Sequence, residues 1–131
     1  MNKKGFTLIE VLAVIVILAV IALITTPIIF NVVDESRMNS FTRSVEEMRN
    51  VIDMDYNEYA RSGEVEYSYK NNSLVCVGCN DGSDLELDFT GEIDGATGTF
   101  YNTNGKIKLT VENSKYKATD NGSGKVVTVK K

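Results

Sequence analysis

The chain has 131 residues, 43% of them hydrophobic and 24% charged, with a net charge of −4. That length supports one domain with little to spare. An acidic chain is a poor default binder of nucleic acid, and the absence of histidine removes the commonest general base and the commonest zinc ligand.

Apolar residues crowd before Asp34. The chain opens Met-Asn-Lys-Lys-Gly-Phe-Thr-Leu-Ile-Glu, and from Val11 to Ile24 every residue is apolar. Lys3 and Lys4 supply the basic flank that stays in the cytoplasm. As a helix, residues 6–24 span about 30 Å, the thickness of a hydrocarbon core. A secretory signal would have an apolar core of only about 7–15 residues and a small-x-small cleavage site. Here Thr25, Thr26 and Pro27 follow instead. A plain signal anchor accounts for everything except Glu10. A carboxylate inside a membrane helix is costly and needs a partner or a role.

The run Lys4-Gly5-Phe6-Thr7-Leu8-Ile9-Glu10 resembles the prepilin processing signal of type IV pilins, type II secretion pseudopilins and competence pseudopilins. The resemblance covers about the first quarter of the chain. It implies cleavage between Gly5 and Phe6 by prepilin peptidase and N-methylation of Phe6 by the same enzyme. It also implies that Glu10 pairs with the terminal amine of a neighbouring subunit during assembly. Glycine leaves the backbone unhindered at the cut. An amine and a carboxylate, each costly alone in low dielectric, compensate as a pair. Pro27 falls where the family commonly has a helix-bending proline. The implied protein is a structural filament subunit, not an enzyme, with no cofactor and no metal. It would cross the cytoplasmic membrane once, N-terminus inside, and then enter an extracellular filament or pseudopilus. Its implied partners are prepilin peptidase, copies of itself or other pilins, the assembly machinery and, before assembly, membrane lipid. Major pilin, minor pilin, secretion pseudopilin and competence pseudopilin all stay open. The alternative is a membrane-anchored extracellular binding domain that does not assemble.

Beyond Asp34 the pattern becomes amphipathic. Met38, Phe41, Val45, Met48, Ile52, Tyr56 and Tyr59 recur at steps of three and four, with charges on the other faces. Gly63 reads as the stop. Past it the period is two. Residues 65–70, 85–89 and 106–111 alternate, and 73–77, 114–119 and 126–130 read as further short strands. Asp81-Gly82, Asp94-Gly95, Asn104-Gly105 and Asn121-Gly122 are hairpin-type turn signals. The predicted fold is α+β: a long N-terminal helix, membrane-spanning in its first half and amphipathic in its second, packed on a small antiparallel β-sheet. The divisions are a leader (1–5), a transmembrane or filament-core helix (6–33) and a globular domain (34–131). That domain comprises the amphipathic helix 34–62 and the sheet 64–131.

Cys76-Val77-Gly78-Cys79 is a lone C-x-x-C, so the chain cannot build a four-cysteine zinc site. The turn chemistry of Asn80-Asp81-Gly82 does not suit a redox helix. In an exported domain a disulfide across a two-residue turn is expected, contributing about 2 kcal/mol for so small a loop. Two free thiols in a strand is the other reading. Asp81, Asp84, Glu86 and Asp88 lack EF-hand spacing, so a solvated acidic loop is expected rather than a calcium site. The C-terminal lysines with Tyr116 would suit a DNA-contacting patch. Edge protection by strand lysines is the simpler reading.

Charge is segregated along the chain. From Glu64 to Asp94 eight acids stand against Lys70, and from Lys106 onward seven lysines stand against Glu112 and Asp120. Cross-strand pairing inside one sheet is the expected use. Head-to-tail attraction between copies is the alternative.

Overall fold

The structure is a computed structural model that describes residues 5, 7–91, 93 and 95–131. The chain falls into two compact units, Met1–Ser36 and Arg37–Lys131. Helix α1 (Leu8–Glu58) contributes to both. In the first unit every Leu, Ile, Val and Phe from Leu8 to Val33 is exposed. A helix apolar all round needs lipid or other helices around it.

The second unit holds a seven-stranded sheet. Its strands are β1 (Glu64–Lys70), β2 (Ser73–Asn80), β3 (Ser83–Glu86), β4 (Thr97–Thr103), β5 (Lys106–Glu112), β6 (Tyr116–Asn121) and β7 (Val127–Lys130). Their order is β3-β2-β1-β4-β5-β6-β7, with every neighbouring pair antiparallel. The fold class is α+β, as the change of period predicts. Asp81-Gly82 and Asn104-Gly105 turn with φ of 49° and 92°, and of 52° and 92°. Asn71-Asn72, silent in the sequence reading, does the same at 52° and 60°. Two successive positive φ values give a type I′ turn, whose twist matches that of the flanking strands. Gly95 has a φ of 70°; Asp94, its predicted turn partner, lies outside the described residues, as does Glu92.

Strand β4 is central, yet its sequence shows no apolar alternation. Its inward residues are Gly98, Phe100 and Asn102, so the hydrophobic period is broken by a glycine and an amide. Packing requires that glycine: a Cβ at Gly98 would lie 2.8 Å from Cγ2 of Val111 on β5. The strand predicted over 85–89 stops at Glu86. Phe89 leaves the sheet and packs edge-on to Tyr69, with ring centroids 6.0 Å apart. The N–H of Ile93 then donates to the Tyr69 hydroxyl at 3.2 Å. These contacts hold the connection that returns the chain from edge strand β3 to β4.

The inner face of the sheet buries Tyr67, Tyr69, Leu74, Phe100, Leu109, Val111 and Ala118. Helix α1 covers it with Phe41, Val45, Met48, Ile52 and Tyr56. Each fully buried aliphatic side chain contributes about 1.5–3 kcal/mol. Tyr59, predicted on the same stripe, is 58% exposed because the helix ends before it. The end is a Schellman turn rather than a stop at Gly63. The Arg61 N–H donates to the Tyr56 carbonyl at 2.9 Å and the Ala60 N–H to the Asn57 carbonyl at 3.2 Å. Ala60 occupies the left-handed position with φ 49°, where glycine is usual.

Two buried carboxylates tie the helix to the sheet. Asp55 accepts from the Tyr67 hydroxyl at 2.8 Å and from Arg61 Nε at 2.9 Å. Burial first, then this hydrogen bond, hold the Tyr67 phenol above its ordinary pKa of 10.0. The hydrogen bond to Asp55 is the main cause holding Arg61 above its ordinary value. Asp120 accepts the N–H groups of Gly122 and Ser123 and lies 3.5 Å from Arg49 Nη1, which also donates to the Gly124 carbonyl at 2.7 Å.

Two outcomes are expected. Ala60→Gly removes a left-handed alanine that costs about 1 kcal/mol. In detergent-solubilised protein it should raise the melting temperature by about 4–8 °C, the shift that 1 kcal/mol produces in a domain of 60–100 residues. Tyr67 makes the second unit alkali-sensitive. Above pH 10 an unfolded phenol loses its proton while the folded one keeps it. The folded state therefore binds more protons, and stability falls as pH rises toward the folded pKa. Stability measured from pH 8 to 12 should fall more steeply in the wild type than in Tyr67→Phe. At neutral pH that variant should be less stable by about 1.5–3 kcal/mol through loss of the buried hydrogen bond to the Asp55 carboxylate, which keeps Arg61 as its partner.

Candidate functional site

Gly5 is exposed, and a Cβ added there would meet nothing within 4 Å. Among the described residues, packing makes no demand for glycine at that position. Phe6, the predicted cleavage partner and methylation site, lies outside the described residues, as do Lys3 and Lys4.

Four residues beyond Phe6, Glu10 has a hydrogen-bond partner for its carboxylate within its own chain. Its Oε2 accepts the N–H of Thr7 at 3.2 Å, and its own N–H donates to Thr7 Oγ1 at 3.2 Å. The Val11 N–H donates to the Thr7 carbonyl at 3.1 Å and opens the helix. This is a capping box, with Thr7 as N-cap and Glu10 three residues later. Thr7-x-x-Glu10 before an apolar run is the sequence signature of that box, so Thr7 was legible as Glu10's partner. A carboxylate in the first helical turn also faces the positive end of the helix dipole. A carboxylate has room for about four hydrogen bonds, so the box occupies only part of its capacity. All four bonded atoms belong to Thr7 and Glu10, and cutting the bond before Phe6 leaves them in place.

Further along, Pro27 stands inside α1 without ending it. It offers no N–H to the Leu23 carbonyl. Just before it, the hydroxyls of Thr25 and Thr26 donate to the carbonyls of Ile21 and Ala22 at 2.9 Å and 2.6 Å. Both hydroxyls are thereby satisfied within the helix and suit an apolar surrounding.

In the second unit Cys76 and Cys79 form a disulfide, with Cα atoms 5.5 Å apart. The predicted turn between them is instead an irregularity inside β2. The register with β3 shifts between Cys76 and Asn80, and Gly78 has a φ of 70°. The Gly78 N–H, lost to the ladder there, donates to Asp84 Oδ1 at 3.0 Å. Among the described residues no group of three His, Cys, Asp or Glu side chains is placed to hold a metal ion. Asp81, Asp84, Glu86 and Asp88 are all exposed.

Tyr116 cannot serve a DNA-contacting patch. It is buried and packs on Phe41 with ring centroids 5.6 Å apart. On the opposite face of the sheet, Tyr101, Lys108 and Lys125 line a shallow groove of about 580 Å³.

Among the described residues, the predicted cross-strand charge pairing does not form between the acidic and basic halves. β1 pairs with β2 and β4, and β5 with β4 and β6. β4, Thr-Gly-Thr-Phe-Tyr-Asn-Thr, carries no charge and lies between them. The register places no lysine of β5–β7 opposite an acid of β1–β3. Glu112 instead opposes Lys117 and bonds Lys131 at 3.3 Å, within the basic half.

Compared with curated proteins and with solved structures, the chain matches none. Residues 1–26 match the family model described as the prokaryotic N-terminal methylation motif. The chain thus opens with the prepilin signal of type IV pilins and pseudopilins, and this supports a type IV pilin-like or pseudopilin precursor.

Proposed function

We propose that the chain is a structural subunit of a type IV pilus-like filament, processed by prepilin peptidase and assembled through its N-terminal helix. The carrying observation is the methylation motif at residues 1–26, which runs into a helix whose apolar side chains are exposed from Leu8 to Val33. A motif of this type points to a structural protein rather than an enzyme. In this reading residues 1–5 are the leader. The chain sits in the cytoplasmic membrane with its N-terminus inside, and the exposed apolar helix exchanges lipid for neighbouring helices on assembly. Pro27 bends that helix. Cleavage creates one amine at Phe6, and Glu10 of an adjoining copy supplies the opposite charge. The alternative, an anchored binding domain that does not assemble, explains the apolar helix but gives no reason to lose the leader.

Processing is read by intact mass. Co-expression with a prepilin peptidase should remove Met1–Gly5 and add one methyl group to Phe6, and Gly5→Val should leave the precursor uncut. An unchanged wild-type mass, or a cut elsewhere, overturns the reading. Assembly is read from Glu10→Gln. Glutamine can still close the capping box but carries no charge. Breaking a desolvated ion pair costs about 3–5 kcal/mol, well above the ~1.4 kcal/mol of a tenfold change. In a strain with the assembly machinery, Glu10→Gln should insert and be cleaved yet vanish from the sheared filament fraction. Normal filaments would show that the cap, not the charge, is what Glu10 supplies.

A further inference from the structure

The two edges of the sheet carry opposite charge. At the β3 edge, residues 80–88 contain Asp81, Asp84, Glu86 and Asp88 and no base, and all four acids are exposed. At the β7 edge, Lys115, Lys117, Lys125, Lys130 and Lys131 are exposed. Two acids share this region: Asp120, which is buried and held by Arg49, and Glu112, which opposes Lys117 and bonds Lys131, so the five lysines leave the edge net positive. Val127 and Val129 on β7 are also exposed, at 50% and 53%. β3 and β7 are the first and last strands of the seven, so the two charge clusters lie on opposite edges. Uncharged β4 lies between the halves, and among the described residues the strand register sets no acid of β1–β3 opposite a lysine of β5–β7.

We infer that the acidic β3 edge of one copy docks against the basic β7 edge of the next, making the sheet edges the lateral contact between subunits. The inference rests on the filament reading and adds to it a surface and a polarity. A two-fold contact would bring β3 to β3 or β7 to β7, and like charges across a contact repel. Opposite edges meet only head to tail. A heterologous contact of that kind either closes a ring or propagates without closing, and propagation is what a filament requires. Docking also covers the exposed valines and the open strand edge, which are otherwise a liability.

The test uses the full-length chain in membrane vesicles from cells with the assembly machinery. A carbodiimide joins a carboxylate to an amine only where they touch. Cross-linked peptides should join the segment containing Asp84 and Glu86 to the segment containing Lys125 and Lys130 of another copy. Isotope-mixed protein separates links between copies from links within one. The pair Asp84→Lys/Glu86→Lys, and separately Lys125→Glu/Lys130→Glu, should each lower the yield of inter-copy dimer by about ten-fold. All four changes in one chain restore opposite edges and should restore dimer. High salt should lower the wild-type yield, because exposed charges are screened over about 10 Å at 0.1 M salt. Undiminished dimer in either pair, or no recovery in the fourfold variant, overturns the contact. Inter-copy links with no filaments would uphold the contact and reject the filament reading. Filaments whose inter-copy links avoid these two segments would do the reverse.

Discussion

A sheet with one apolar face must be covered, and in the second unit a single stripe of one helix covers it. Phe41, Val45, Met48, Ile52 and Tyr56 lie on β-sheet residues that are themselves fully or nearly fully buried. Burial of this kind has no direction, so it does not set how far the helix slides or rotates. Two polar ties supply that. Arg49 reaches the β6–β7 loop through Asp120 and the Gly124 carbonyl, and Asp55 reaches β1 through the Tyr67 hydroxyl. The ties lie six residues apart on the helix and at different parts of the sheet. With both made, the helix has one position against the sheet. Asp55 also takes Arg61, which follows the Schellman turn, so the same carboxylate fixes where the chain leaves the helix.

The first unit follows the opposite rule: its apolar side chains face outward and its polar groups turn inward onto the helix. The Thr25 and Thr26 hydroxyls bond carbonyls of their own helix. Thr7 and Glu10 bond each other's backbone N–H groups. What remains costly in an apolar medium is the net charge of Glu10, because hydrogen bonds to neutral donors ease a carboxylate without cancelling it. That leaves an attraction for a cation of defined place, near the start of a helix. In the proposed function, the amine that cleavage would create at Phe6 is such a cation. The capping box holds the carboxylate at the helix head.

Much of this was legible in the sequence because the signals are local. A run of apolar residues from Val11 to Ile24, steps of three and four from Met38 to Tyr56, and Asp-Gly and Asn-Gly turns all act through neighbouring residues. Two features escaped because they depend on other strands. β4 reads as no strand by itself, since Gly98 is small only to admit Val111 and Asn102 is an amide facing inward. The helix end escaped because Ala60, not a glycine, takes the left-handed position. There tertiary ties through Arg61 and Asp55 override backbone preference. The cap at Thr7 is a different case. Its signature was present, but Glu10 drew attention as a charge and not as a hydrogen-bond partner.

Charge placement along the sheet reconciles two roles for the same residues. Lysines on and beside β7 and acids around β3 keep each edge from pairing with its own kind, as edge protection requires. Repulsion between like edges does not extend to unlike ones. With the two halves set apart by an uncharged central strand, each edge keeps its sign. Had the acids of β1–β3 alternated with lysines on adjacent strands, the pairs would have cancelled within one copy. The edges would then be neutral, open to pairing with either edge of another copy, and without polarity. Segregation therefore does two things at once: it excludes symmetric edge pairing, and it leaves head-to-tail approach as the arrangement in which both edges gain.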